Sequence, residues 1–296
     1  MFRFHFSIYH FAWLLCFGCA ATYHSYESVT GYDLTHPDQR FVLPDTLREV
    51  SGLTDINDST FACVQDENGI LFIYNLHENK IAQQHVFNVD GDYEGITRVG
   101  DTIYILQSDG VIFEIPQYKN QSDVIHSYPT DIPANNNEGL CHDPLENRLL
   151  IACKGKIGKG RDFKDKRVIY SFDLDSKQLS SEPVFEFDLQ QIKQYAIEHH
   201  IELPEKDKKK GSEPFIKFMT SAIAIHPFSQ KLYLLSATDH LFFVFSRNGQ
   251  LEHMEMLDPE IFNKAEGITF LTNGDMLITN EAQDKHPSLL RFNRKR

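Results

Sequence analysis

The sequence predicts an all-β protein, a five-bladed β-propeller closed by an N-terminal strand. Three observations support this prediction: a short phrase that recurs at a blade-like spacing, strand-like runs separated by turn residues, and a last repeat that lacks one strand. The phrase is a polar residue, then Gly or Ala, then an aliphatic residue. It occurs as Ser51-Gly52-Leu53, Glu94-Gly95-Ile96, Glu138-Gly139-Leu140, Ser221-Ala222-Ile223 and Glu266-Gly267-Ile268.

The spacing of the phrase sets the number of blades. Its second positions lie 43, 44, 83 and 45 residues apart, and a four-stranded propeller blade takes roughly 40 to 45 residues. The long interval leaves six blades as the alternative. After Gly139, however, it holds only three more strand-like runs, enough to complete one blade. These runs are Arg148–Lys154, Arg167–Leu174 and Val184–Asp188.

The remainder of the long interval predicts an insertion in or after blade three, over residues 189–218. Leu189 to His200 is typical of a helix, because Leu189, Ile192 and Ala196 fall on one face. Glu205 to Gly211 is charged and is predicted to be a loop.

Strand patterns within the other units agree with four strands per blade. Aromatic and β-branched residues fill the middle runs, and Gly100-Asp101 and Asn248-Gly249 supply turn residues. The last unit has only three runs before the chain ends. We expect Gln39–Leu43 to provide its missing outer strand, since this closes the ring and covers a sheet edge.

The N-terminus has the pattern of a bacterial lipoprotein signal. Arg3 precedes the apolar run Phe6–Phe17, which is too short to span a bilayer comfortably, and Gly18-Cys19 follows as in a lipobox. We therefore expect a signal peptide at 1–18, lipidation of Cys19, a tether at 19–38 and the propeller domain at 39–296. The alternative is an ordinary secretory signal. The lipoprotein prediction implies a bacterial cell envelope location, with the protein anchored to a membrane and facing the periplasm or exterior.

Charge and cysteine usage narrow the function classes. The formal net charge of -13 repels phosphate backbones, so we expect no nucleic-acid partner and favour cations or cationic partners. Beyond the signal region only Cys63, Cys141 and Cys153 remain, each in a strand-like run. We expect them to be buried thiols.

The first strand of each propeller blade lines the central channel, so the phrase predicts a ring of side chains at one channel end. Its first positions are Ser51, Glu94, Glu138, Ser221 and Glu266. Three carboxylates so close together repel one another, and a bound cation, a shared proton or a basic partner would relieve the repulsion.

The second strands return to the same end and bring more oxygen donors. Hard cations such as calcium bind several carboxylate, amide and carbonyl oxygens at once. Ordinary turn chemistry is the alternative explanation, most clearly for Asp66 and Asp109. The candidate metal or ligand residues are therefore Glu94, Glu138, Glu266, Asp66, Gln65, Gln107, Asp109, Asn280, Glu281 and Lys154.

Four phrases of the sequence carry a resemblance to a known family: Glu49-Val50-Ser51-Gly52-Leu53, Cys63 to Gly69, Gly91 to Ile96 and Ala265 to Ile268. Together they resemble the SdiA-regulated, YjiK-type propeller proteins of bacterial envelopes, over about residues 40 to 294. The resemblance implies a five- or six-bladed propeller, an envelope location and an association with calcium, with Glu94, Glu138 and Glu266 on the ligand-facing rim. The helical insertion and the two serines of the rim depart from that pattern.

The leading functional hypothesis is an envelope lipoprotein that binds a divalent cation, calcium, and an unidentified small ligand or protein at the acidic channel end, with no firm catalytic activity. One alternative is a metal-dependent hydrolase of phosphate or carboxylic esters, in which a rim carboxylate activates water. Another is a docking scaffold that would show an apolar patch on the insertion.

Overall fold

The computed structural model describes residues 30–120, 124–134, 136–208 and 211–295. In these ranges the chain forms five antiparallel sheets whose first strands contact one another in a closed cycle, so the protein is a five-bladed β-propeller. The five-blade prediction is confirmed, and the six-blade alternative is wrong because the long interval contains one blade and an insertion. The predicted signal peptide and Cys19 lie outside the described residues.

The first two blades follow the predicted pattern. An outer strand that belongs to the last blade, β1 (Gln39–Val42), is followed by a 3₁₀ turn at Asp45–Leu47. Blade one comprises β2 (Val50–Asn57), β3 (Thr60–Gln65), β4 (Ile70–Asn75) and β5 (Lys80–Val86). Blade two comprises β6 (Tyr93–Val99), β7 (Thr102–Gln107), β8 (Ile112–Ile115) and β9 (His126–Tyr128), with a 3₁₀ turn at Tyr118–Asn120.

Blade three has a divided outer edge. It comprises β10 (Asn137–Asp143), β11 (Arg148–Cys153), β12 (Lys166–Asp173), β13 (Gln178–Leu179) and β14 (Phe185–Asp188). Both β13 and β14 pair with β12, so together they form the fourth strand of the blade.

Blades four and five complete the ring. Blade four comprises β17 (Ala222–Ile225), β18 (Leu232–Ser236), β19 (Leu241–Phe245) and β20 (Leu251–Met256), with a 3₁₀ turn at Ala237–Asp239. Blade five comprises β21 (Ala265–Phe270), β22 (Met276–Asn280) and β23 (Ser288–Phe292). The predicted closure by an N-terminal strand is confirmed, because β1 pairs antiparallel with β23, from Gln39 opposite Arg291 to Val42 opposite Ser288.

The insertion contains the expected helix, α1 (Leu189–Glu198), which Asp188 caps by accepting a hydrogen bond from the Gln190 amide. The expected charged loop at Glu205–Gly211 is wrong. This segment forms a hairpin of β15 (Glu205–Lys208) and β16 (Gly211–Pro214). Antiparallel strands pair through their backbone amides and carbonyls, so a run of charged side chains in the sequence does not indicate whether the backbone is paired.

The core of the described chain consists of clusters between neighbouring blades. One cluster joins blades three and four and includes Ile192 and Ala196 of α1. Cys63, Cys141 and Cys153 are free and buried in this packing, as predicted.

The end of the predicted tether is packed rather than free. Tyr32 is 1% exposed and lies with Leu34 in the cluster between blades four and five. The Tyr32 hydroxyl donates to the Gly274 carbonyl and lies 3.0 Å from Nε2 of His226. Aromatic burial and these hydrogen bonds attach the chain to the propeller before β1 begins.

Close approach of the first strands explains the small residue in the recurring phrase. A Cβ added at Gly52 would lie 2.9 Å from the Ile96 nitrogen of the next blade, and one at Gly95 would lie 2.6 Å from Cβ of Leu140. At Gly267 it would lie 2.7 Å from the Ser51 carbonyl oxygen, across the closure of the ring. The backbones of neighbouring first strands therefore come close together at the second position of the phrase, where the residue is always glycine or alanine.

Replacing Gly267 by alanine should destabilise the ring, because its Cβ would press on the backbone of blade one. We expect a loss of about 2 kcal/mol in the free energy of unfolding, measured by chemical denaturation. Gly155→Ala is the matched control, since its Cβ would meet nothing closer than 3.5 Å. Equal stability of the two variants would contradict the packing explanation.

Candidate functional site

Three β-bulges direct glutamates of the phrase toward one end of the channel. The pairing of first and second strands shifts between Tyr93 and Gly95, between Asn137 and Gly139, and between Ala265 and Gly267. The extra residue of each bulge is a glutamate. A bulge re-aims the side chain of its unpaired residue. In these three blades the repeated phrase therefore encodes a β-bulge in the backbone as well as the glutamate itself.

Glu138 is the most completely engaged of the three. It is 3% exposed, its Oε1 forms an ion pair with the Lys154 ammonium group, and Nδ2 of Asn136 donates to the same oxygen at 3.3 Å. Burial, followed by the negative charge of Glu266, raises the pKa of Glu138 to about 7 despite the opposing effect of Lys154.

Glu266 lies on the blade that closes the ring. Its Oε1 is 3.4 Å from Nζ of Lys264, and Lys264 also pairs with Glu281. Burial raises the pKa of Glu266 although both Lys154 and Lys264 favour its charged form. Although burial disfavours the charge of Lys264, the carboxylates of Glu266 and Glu281 raise its pKa.

Glu94 has the largest shift toward the protonated form. Burial raises its pKa to about 9, and Glu138 and Asp92 add to the increase by repulsion and by a hydrogen bond between carboxyl groups. Glu94 has no ammonium partner among the described residues. The acidic end therefore contains more carboxyl groups than its two lysines can pair with.

Several buried oxygen atoms at the acidic end have no hydrogen-bond partner among the described residues. The Oε2 atoms of Glu138 and Glu266 are buried and accept no hydrogen bond from any described residue. Buried acceptors without partners are costly and are normally few. The others near this end are Asp66 Oδ1, Asn136 Oδ1, Asn137 Oδ1, Asn263 Oδ1 and Asn280 Oδ1.

The remaining sequence-predicted residues divide into two groups. Asp66, Asn280, Glu281 and Lys154 join the acidic end. Burial raises the pKa of Asp66 to about 6, with Glu49 adding to the increase. Asn280 uses its Nδ2 on the Ile261 carbonyl at 3.2 Å, leaving its oxygen unpartnered.

The second group has local roles. Gln65 is engaged with Asn68 at 2.6 Å and with the Glu67 amide at 2.9 Å. Asp109 is exposed and accepts from the Val111 amide at 3.1 Å, which is turn chemistry. Gln107 is half-buried at the end of β7.

Sequence reasoning missed Lys264, Asn136, Asn263 and Glu49. A hydrogen bond with Glu281, followed by burial, raises the pKa of Glu49, which places it in the same network. The available signal was the repeat itself. Glu49, Asp92, Asn136 and Lys264 all stand two residues before a first position of the phrase, and each directly precedes the first strand of its blade.

The three glutamates surround a very small cavity. Its volume is about 10 Å³, and it is lined by the first strands of all five blades at the level of the phrase. This is about the space that one water molecule needs. Aliphatic residues of the phrase, including Leu53, Ile96 and Leu140, form the wall below the carboxylates. At the other end the channel widens to a cavity of about 250 Å³.

The oxygen atoms at the acidic end are of the types that bind a hard cation, but the side chains that carry them are not closely grouped. In the part of the chain that the structure describes, no three His, Cys, Asp or Glu side chains are gathered closely enough to hold a metal ion. Calcium also takes amide and carbonyl oxygens, and the unpartnered oxygens here are of those types as well as carboxylates. Lys154 and Lys264 act as the counter-ions of the carboxylates in this structure.

The apolar face of the insertion is covered. Leu189, Ile192 and Ala196 pack against blades three and four, and Ile197 is the large hydrophobic residue of α1 that stays exposed. An apolar docking patch was the feature expected of a scaffold, and the helix buries the face that would form it. None of the described helices combines the length and apolarity needed to cross a membrane.

Comparison with known proteins supports the fold. No protein-family model and no curated protein matches the sequence. The crystal structure of glutaminyl cyclase from Myxococcus xanthus is 13% identical, with a TM-score of 0.55, over 87% of this chain and 95% of that chain. A streptogramin B lyase structure is 12% identical, with a TM-score of 0.46, over 86% and 97%. At 13% identity the likeness to the glutaminyl cyclase concerns architecture alone.

The acidic end should make stability depend on pH in the absence of metal. The pKa of Glu94 is about 9 in the folded protein against an ordinary value of 4.5, so the folded state holds a proton that the unfolded state releases. Stability should therefore fall as pH rises from 5 to 8, by up to about 1.4 kcal/mol per pH unit for this group. Glu94→Gln removes the charge and should flatten the decline.

The measurement is chemical denaturation at several pH values with a chelator present. Glu114→Gln is the control, since Glu114 pairs with Lys177 outside the channel. If Glu94→Gln leaves the pH slope of the wild type unchanged, Glu94 is ionised at neutral pH.

Proposed function

We propose that this protein is a cell-envelope lipoprotein whose propeller binds a divalent cation, calcium, at the acidic end of its channel, together with a ligand or partner there. The observation that carries the proposal is the cavity of about 10 Å³ among Glu94, Glu138 and Glu266. The buried Oε2 atoms of Glu138 and Glu266 have no partner there among the described residues. A cavity of this size holds about one ion or one water molecule.

The charge balance supports a cation of more than one charge. Eight carboxyl groups are linked electrostatically at this end, against the ammonium groups of Lys154 and Lys264 and the guanidinium group of Arg48. Burial raises the pKa values of Glu94, Glu138 and Asp66, and repulsion between the carboxyl groups adds to the increase. A divalent cation would lower these pKa values and replace bound protons as the source of positive charge.

Calcium fits the donors better than magnesium. The unpartnered oxygens come from several blades and mix carboxylates with side-chain amides. Calcium accepts six to eight such oxygens in flexible geometry, whereas magnesium demands a near-ideal octahedron and retains water. The resemblance to the SdiA-regulated propellers also favours calcium and an envelope location.

Calorimetric titration of the purified protein with calcium tests this proposal. We expect saturable binding that strengthens from pH 6 to pH 8, because the carboxyl groups must release protons. Glu94→Gln, Glu138→Gln and Glu266→Gln should each weaken binding by about tenfold or more, since each removes a charge from a buried set.

Glu114→Gln is the matched control and should bind as the wild type does. Magnesium should bind more weakly than calcium. A wild-type protein that releases no heat and gains no thermal stability with millimolar calcium would refute the cation site.

A metal-dependent ester hydrolase is the second candidate, and Glu138 is the observation that favours it. Its pKa of about 7 suits a general base, and the Lys154 ammonium group lies beside it. Calcium-dependent cleavage of p-nitrophenyl phosphate or acetate that Glu138→Gln abolishes would favour this candidate over simple binding.

The envelope location depends on residues of the N-terminal signal. Arg3, the apolar run Phe6–Phe17 and Gly18-Cys19 support processing as a lipoprotein. In a bacterial host, Cys19→Ser should abolish incorporation of labelled palmitate and release the protein from the membrane fraction. Labelling that persists in Cys19→Ser, with Cys16→Ser as the control, would contradict lipidation at Cys19.

A further inference from the structure

We infer that the insertion forms a second binding site, a cationic pocket for a small organic anion that carries several phosphate or carboxylate groups. The pocket lies between the insertion and the end of β11 in blade three. Its volume is about 570 Å³. That is within the range of small-molecule sites, and far larger than the cavity among the glutamates.

The lining of the pocket is opposite in sign to the protein. The chain has a formal net charge of -13, yet seven lysine and arginine residues line this pocket, against Asp165 and Glu213. Five of the seven are lysines that form no ion pair within the described ranges. These lysines are Lys156, Lys164, Lys193, Lys206 and Lys217.

The other two cationic residues, Arg167 and Lys154, already have partners in the protein, which leaves the five lysines to contact a ligand. Arg167 is buried and donates to the carbonyls of Phe218, at 2.7 Å, and of Lys217. It therefore fixes the insertion to blade three. Lys154 pairs with Glu138 and stands between the pocket and the acidic end. A ligand would use the five unpaired lysines.

An apolar wall gives the pocket a place for the body of an organic molecule. Leu189 and Ile216 are buried beside it, and Met219 and Phe215 line it. The Lys206 ammonium group lies 5.0 Å from the centroid of the Phe215 ring. A ligand with an apolar or sugar-like body and several anionic groups would contact both kinds of surface.

Because the whole protein is acidic, a small anion is favoured as the ligand over a nucleic acid or an anionic membrane. At physiological salt, charges interact over about 8 to 10 Å, so a compact anion inside the pocket senses mainly the nearby lysines. A nucleic acid or an anionic membrane would also face the negative surface around the pocket. The concave shape likewise favours a molecule that enters the pocket.

This inference goes beyond the proposed cation site and does not depend on it. The five lysines lie on blade three and the insertion, and none of them is among the largest causes of the pKa shifts of Glu94, Glu138 or Glu266. The pocket should therefore bind anions in metal-free protein. Failure of one site leaves the other intact.

Titration of metal-free, full-length protein with tripolyphosphate and with citrate tests the pocket. We expect one molecule to bind per chain, more weakly at 500 mM than at 50 mM NaCl, because the contacts are ionic. The double variant Lys164→Glu/Lys193→Glu should weaken binding by about tenfold or more, since it replaces two attractive charges with repulsive ones.

The matched control is Lys80→Glu/Lys119→Glu, which makes the same change of charge at exposed lysines of blades one and two. It should bind as the wild type does. A preference for tripolyphosphate would assign phosphate groups to the ligand, and a preference for citrate would assign carboxylates.

Three outcomes would overturn the inference: no binding of either anion, equal weakening in both double variants, or binding only to phosphatidylglycerol vesicles. The last would make the lysines a membrane-facing surface. Calcium binding, measured in parallel, should survive in Lys164→Glu/Lys193→Glu. Its survival separates this test from that of the acidic end.

Discussion

The approach of five backbones around one axis is the constraint on which the rest of the structure depends. Gly52, Gly95, Gly139 and Gly267 lie so close to a neighbouring first strand that a Cβ at any of them would clash. Ala222 takes the same place in blade four. Because the strands meet here, the channel narrows to a cavity about as large as one water molecule. The side chain at the first position of the phrase, directly before the small residue, therefore lies along the channel axis or in its wall.

Three bulges resolve that crowding and create the acidic end. Each gives an extra residue to the first strand beside the small residue, and in each case that residue is a glutamate. The two other rim positions are serines that the backbone satisfies, since Ser221 donates to the Ala265 carbonyl at 2.7 Å and Ser51 to the Glu49 carbonyl at 3.2 Å. The carboxylates thus come from three blades: Glu94 and Glu138 lie on adjacent blades, and a serine position separates them from Glu266 on either side of the ring.

Charge is separated within one end of the molecule. The channel gathers carboxyl groups whose pKa values are raised by burial, while the pocket beside the insertion gathers lysines that form no ion pair within the described ranges. Lys154 belongs to both regions. The low dielectric of the buried channel makes unpaired charge there costly.

The sequence by itself determined the fold and the position of the rim. A phrase repeated at blade spacing specifies five first strands, and the short last unit specifies the closing role of Gln39–Val42, because both are properties of one chain read in order. It did not reveal Lys264 or Asn263 as members of the site, the hairpin at Glu205–Pro214, or the cationic pocket. Lys264 and Asn263 join the site through contacts with Glu281, beyond the end of β22, and the pocket forms where Lys164 of blade three meets Lys193 and Lys217 of the insertion. Burial, which sets the protonation of Glu94 and Glu138, likewise exists only once the ring has closed.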